Sequence, residues 1–137
     1  MFYMKKTKIL VPLDVSEMTM NSINWIKKYF DKNDIEITLM NASERIVADD
    51  SGDFQKKSKI VLGEVAMKLE GYVVEKFFAV GYIPDEILKK AEEGNYDMII
   101  IAKSSKTGLL RMIGSVTSKV LKNAKIPVIV LPQELFE

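Results

Sequence analysis

Neither cysteine nor histidine occurs anywhere in the 137 residues. The first absence excludes disulfide staples, thiolate nucleophiles and cysteine metal sites. The second removes the commonest general base and the commonest metal ligand. Any site chemistry must therefore rest on carboxylates, cations, hydroxyls and backbone groups. A charge imbalance is missing too: 20 Lys and Arg against 19 Asp and Glu leave a net charge of +1. That gives no general attraction to nucleic acid or to anionic membranes, so a cationic site has to be local. No apolar run approaches the roughly 20 residues needed to span a bilayer. The opening stretch "MFYMKKTKILVPLDV" carries lysines, but Pro12 interrupts its short apolar part. No signal peptide is expected there, and a cytoplasmic location is. Internal repeats and low-complexity segments are absent, and so are the sequences G-x-x-x-x-G-K-[ST] and G-x-G-x-x-G. P-loop and dinucleotide-enzyme readings are therefore poor.

What is present is ordinary globular composition, 47% hydrophobic and 28% charged, in a length that suits one domain. Apolar runs of strand length alternate with segments of helical period. "TKILVPLD" (7–14), "IEITLMNA" (35–42), "YVVEKFFAVG" (72–81), "YDMIIIA" (96–102) and "IPVIVLP" (126–132) read as five strands. Between the first two, Ile23, Ile26 and Phe30 recur at helical spacing, with Trp25 and Tyr29 widening the face. The polar segment 43–53 reads as an exposed loop. The helix after it presents Val61, Val65 and Leu69 on one face, with Lys56, Lys57 and Lys59 solvated. These lysines lack interleaved aromatics, so no nucleic-acid partner is expected. The eight methionines and Trp25 are simplest as core residues. Pro84, Asp85 and Glu86 suit the first turn of a third helix whose inner face is Ile87, Leu88 and Ala91. Val116, Val120 and Ala124 align on a fourth. Strict strand–helix alternation predicts a single doubly wound α/β domain, a parallel sheet with helices on both faces. Ligands of such sheets sit beyond the carboxyl ends of the strands, where the winding reverses. The loops after the first strand ("PLDVSE") and after the fourth are the candidates.

The loop after the fourth strand, "AKSSKTGLLRMIGS" (102–115), holds two glycines, three cations and several hydroxyls. Together with "ILVPLDVSE", "VGYIPDEILKKAEEGNYDMIIIA" and "GSVTSKVLKNAKIPVIVLP", it resembles the universal stress protein family over nearly the whole chain. The resemblance implies strand order 3-2-1-4-5, which sets the first and fourth strands side by side so that the two candidate loops meet. It also implies ATP, with magnesium, as the ligand. ATP-binding members carry Gly-x-x-Gly, nine residues, then Gly-Ser or Gly-Thr. Here Gly114–Ser115 matches the end of that motif, while the two earlier glycine positions fall near Lys103 and Ser105, with one residue fewer before Gly114. Glycines at such places let backbone approach phosphates and adopt positive φ. Weak or absent ATP binding is therefore expected.

By the same resemblance the site comprises Pro12, Leu13 and Asp14, Asn41 and Ala42, Ala102 and Lys103, and Gly114, Ser115, Val116 and Thr117. Asp14 is placed on the ribose or adenine side of a nucleotide, though a turn or helix-cap aspartate aided by Ser16 accounts for it equally well. Asn41 either caps its strand end or lines the pocket, and Ala42 leaves room beside it for adenine. Gly114 and Ser115 open a helix whose free N–H groups can hold an anion. Ser115 is expected to be the helix N-cap whether or not phosphate binds. Lys103, Lys106 and Arg111 are solvated charges that could replace lost glycine contacts, at about 1.5–3 kcal/mol per charged hydrogen bond. The leading expectation is a non-catalytic stress-response or signalling module. Two other readings are kept: a true ATP binder with a modified phosphate loop, and a slow nucleotide hydrolase with Asp14 positioning metal or water. No charge interrupts Ile126 to Leu131, so a homodimer paired through the last strand is expected as well.

Overall fold

A computed structural model describes residues 5–14, 20–44, 53–102 and 114–132. Among them nine elements follow in chain order: β1 (Thr7–Pro12), α1 (Asn21–Tyr29), β2 (Ile35–Ser43), α2 (Asp53–Met67), β3 (Val73–Val80), α3 (Ile83–Glu93), β4 (Met98–Ala102), α4 (Ser115–Asn123) and β5 (Val128–Leu131). The five strands are all parallel and lie in the order β3-β2-β1-β4-β5. This is the doubly wound α/β sheet that the alternation predicted.

The unbroken apolar runs belong to the inner strands, because helices cover both of their faces. Ile9 and Val11 of β1 point into a core with Ile23 and Ile26 of α1 and Leu62 and Val65 of α2. Leu10 points the other way, into a core with Ile87 and Ala91 of α3 and Val120 of α4. Each fully buried aliphatic of this kind contributes about 1.5–3 kcal/mol relative to exposure, so β1 and β4 anchor the sheet. The edge strands are less covered: Val73 and Val80 of β3 are exposed, and Val128 to Val130 of β5 are half-buried.

Several boundaries differ from expectation for local reasons. β1 stops at Pro12, which has no N–H for the ladder, although the Leu13 N–H still donates to the Met40 carbonyl at 2.7 Å. β2 runs on to Ser43, which is buried rather than part of a loop. Its carbonyl accepts from the Gly81 N–H at 2.9 Å, so the long β3 prolongs its neighbour. Residues 45–52 of the expected loop lie outside the described residues. Tyr29 does not widen the inner face of α1. It is 60% exposed on the flank of the apolar stripe, its ring 5.1 Å from that of half-buried Trp25. Met67, at the end of α2, is 78% exposed and is no core residue.

At the amino ends of the strands, Tyr96 is buried and its Oη donates to Thr38 Oγ1 at 2.5 Å. Burial pushes the Tyr96 phenol pKa up. The Thr38 bond opposes that shift, and the charges of Glu75 and Glu36 add to it. Lys8 Nζ donates to the Gly94 carbonyl at 2.6 Å and sits 4.8 Å from the centre of the Tyr96 ring. Asn95 follows α3 with φ 53°, the left-handed conformation that asparagine tolerates in reversing the chain after a helix.

Candidate functional site

Parallel winding gathers the carboxyl ends of the strands and the amino ends of the helices that follow them at one end of the molecule. The direction of winding reverses between β1 and β4, which are neighbours in the sheet, so the exits of these two strands flank a cleft. Pro12 is half-buried, Leu13 is buried and Asp14 is exposed at the exit of β1. Ala102 ends β4, opposite Leu131 of β5. Ala42 is half-buried near the end of β2, opposite Ala79 of β3. Lys103, Ser105, Lys106, Arg111 and Ser16 lie outside the described residues.

The start of α4 corrects one expectation. Ser115 is already helical, and the N-cap is Gly114, with φ −60° and ψ 161° and no side-chain cap hydrogen bond. A serine inside the first turn cannot close its hydroxyl onto the N–H groups ahead of it as an N-cap does. Gly114 is in an extended conformation open to any residue, and a Cβ added to it meets no described atom within 4 Å. Neither backbone strain nor packing among the described residues therefore calls for glycine here. A glycine at this position offers no side chain of its own to the first N–H groups of the nine-residue helix. Val116 and Thr117 in that first turn are half-buried, and Val116 packs against the core shared by α3 and α4. One turn further along, Lys119 Nζ donates to the Tyr82 hydroxyl at the start of α3. That bond raises the Lys119 pKa and ties the amino ends of the two helices together.

Asn41 has a role that strand-end position alone did not settle. Its side chain is buried, Nδ2 donates to the Leu13 carbonyl at 2.9 Å, and Oδ1 accepts from Ser58 Oγ at 2.9 Å. Pro12 has ended the ladder of β1, so the next buried carbonyl needs another donor, and Asn41 supplies it. Ser58, wholly buried on α2, escaped the sequence reading. Its signal was available: a serine among lysines, in helical register with the inner-face Leu62, Val65 and Leu69. Asn21 was missed as well. At the start of α1 it is buried, and its Nδ2 donates to the Pro132 carbonyl at 2.8 Å, fastening that helix to the exit of β5. A cavity of about 220 Å³ lined by Leu88, Ala91, Tyr96 and Ile126 lies at the opposite end of the sheet, away from this site.

Comparison with known proteins gives a consistent result. Residues 6–132 match the model of the universal stress protein family. A relative from Methanocaldococcus jannaschii, universal stress protein MJ0531, is 30% identical over 138 aligned residues, covering 90% of this chain and 81% of the relative. The solved structure of MJ0577, from the same organism, is 28% identical with a TM-score of 0.82 and covers 95% of this chain and 98% of that one. A universal stress protein family member from Arabidopsis thaliana, solved with AMP bound, shares the fold: TM-score 0.71, 21% identity, 94% and 93% coverage.

Proposed function

Because this chain belongs to the universal stress protein family, we propose that it is a non-catalytic stress-response or signalling module of the cytoplasm, whose cleft between β1 and β4 takes an adenine nucleotide weakly. The observation that carries this reading is Gly114. A bare N-cap stands at the mouth of the cleft, where nothing described requires a glycine and where an anion would find free N–H groups. The family member from Arabidopsis, with its bound AMP, supports the ligand class. The residues suit the two ends of a nucleotide: the first amides of α4, Gly114 to Thr117, would face the phosphates, and the Asp14 carboxylate at the exit of β1 would accept from ribose hydroxyls. Among the described residues no three acidic side chains gather to hold a metal on their own. Magnesium would accordingly arrive on the phosphates and keep most of its waters. Affinity would be held down because no glycine occurs from Ile101 to Ser105, near where ATP-binding members of the family carry two.

Calorimetry with AMP and with magnesium ATP tests this, with constants weaker than micromolar as the expected result. A sub-micromolar constant would show a true ATP binder, and release of ADP above the buffer rate would show a hydrolase. Small molecules freed by denaturing freshly purified protein, identified by mass spectrometry, give an independent answer.

The same reading includes a homodimer through β5. This four-residue edge strand, VIVL, has no charge along it and is half-buried at three of its positions. A bare apolar edge invites pairing, and a two-fold axis would join the two β5 strands antiparallel. Light scattering at micromolar concentration is expected to give a dimer, and Val130→Lys to give a folded monomer. A wild-type monomer would refute the pairing.

A further inference from the structure

The bridge from α2 to the exit of β1 has a consequence for the cleft. Two buried polar side chains from separate elements are spent on a single backbone carbonyl, that of Leu13, the residue directly before Asp14. Both hydrogen-bonding ends of the Asn41 carboxamide are committed within the fold, its Nδ2 to Leu13 and its Oδ1 to Ser58. The orientation of the carboxamide is thereby fixed: the Leu13 carbonyl can only accept and so selects the Nδ2 end, while the Ser58 hydroxyl holds the Oδ1 end in place. Turned the other way, an oxygen would face the Leu13 carbonyl and repel it. The Ser58 hydroxyl is itself wholly buried, so it has no water to choose instead.

We propose that Asn41 and Ser58 are positioning residues for the nucleotide cleft. They lock the backbone at Leu13, and with it the point from which Asp14 projects. Neither touches the ligand. Asn41 acts through the Leu13 carbonyl, and Ser58 acts through Asn41. The inference rests on the adenine-nucleotide reading above and names the device that holds one wall of that site.

The test compares three variants by AMP titration and by thermal unfolding. Ser58→Ala removes the donor that anchors the Oδ1 end of Asn41, and AMP affinity is expected to fall about five-fold, the scale of one net hydrogen bond. Val65→Ala, on the same buried face of α2, destabilises the helix packing without touching the bridge, and its AMP affinity should match the wild type. Ser58→Thr keeps the hydroxyl, and should keep the affinity even where its extra methyl lowers the unfolding temperature. Affinity that follows unfolding temperature across all three variants would overturn the proposal, because α2 would then matter only as packing. Unchanged affinity in Ser58→Ala would overturn it as well. A wild-type protein that takes up no AMP at all fails the nucleotide reading instead, and is told apart from both by the wild-type titration alone.

Discussion

Gly94→Ala is expected to destabilise the protein by about 3 kcal/mol, the upper part of the usual range for overpacking a core. For a domain of this size that is a fall of roughly 10 °C in unfolding temperature. The cause is steric. A Cβ at Gly94 would stand 2.3 Å from Cε2 and 2.8 Å from Cδ2 of the Tyr96 ring, far inside contact distance. Backbone conformation contributes nothing, since Gly94 has φ −89° and ψ 0°, which alanine adopts freely. The ring has little freedom to retreat: its hydroxyl is held by Thr38, Lys8 lies over its face, and it is buried among the residues of the core under α3. Thermal unfolding checks the effect. Truncating the ring with Tyr96→Leu should make the two substitutions cost less together than their separate costs add up to, because one change removes what the other collides with. An unfolding temperature for Gly94→Ala equal to that of the wild type would mean that the ring moves aside, and the steric account would fail.

That clash illustrates which parts of the structure were legible in the sequence. The parallel sheet and its two helical layers followed from features every residue in an element shares, whereas the strand order was implied only by the family resemblance. "KILV" and "MIII" are apolar on both faces, so they had to be inner strands, and alternation with helical periods made them parallel. Features set by single contacts were hidden. Gly94 and Tyr96 are two residues apart, yet only the path of the chain around Asn95 brings the ring over Gly94. Thr38 and Tyr96 are 58 positions apart and Asn41 and Leu13 are 28 apart, with no periodicity to connect them. Ser58 was partly visible, because its register with Leu62 and Val65 puts it inside, but its partner was not. The start of α4 was displaced by one residue. "GS" reads as a serine cap in sequence, and only the dihedral angles show that the glycine holds the cap position. That single step changes the meaning of the motif, from a helix end closed by a serine side chain to one whose cap residue has none.

Gly114→Val is for that reason the sharpest test of the site, and is expected to weaken AMP or magnesium ATP binding by at least about ten-fold, the loss of some 1.4 kcal/mol. Stability should fall by no more than about 1 kcal/mol. The backbone at Gly114 lies in the extended region that valine favours, and a Cβ there meets no described atom within 4 Å. Valine is a poorer N-cap than glycine, and that lost capping is the source of the small stability change. What valine adds is a branched side chain at the entrance to the first turn of α4. A phosphate oxygen would otherwise approach the N–H groups there, and those bonds weaken steeply with distance and angle. Gly114→Ser separates the two effects from the other direction. A serine at the cap position can turn its hydroxyl onto the helix amides, which should raise the unfolding temperature while competing with the phosphate for the same donors. Stability and affinity should thus move in opposite directions in Gly114→Ser, and in Gly114→Val affinity should fall with only the small stability loss of a poorer cap. Nucleotide affinity that survives both substitutions would place the phosphates away from α4, and the open helix end would then have no part in binding.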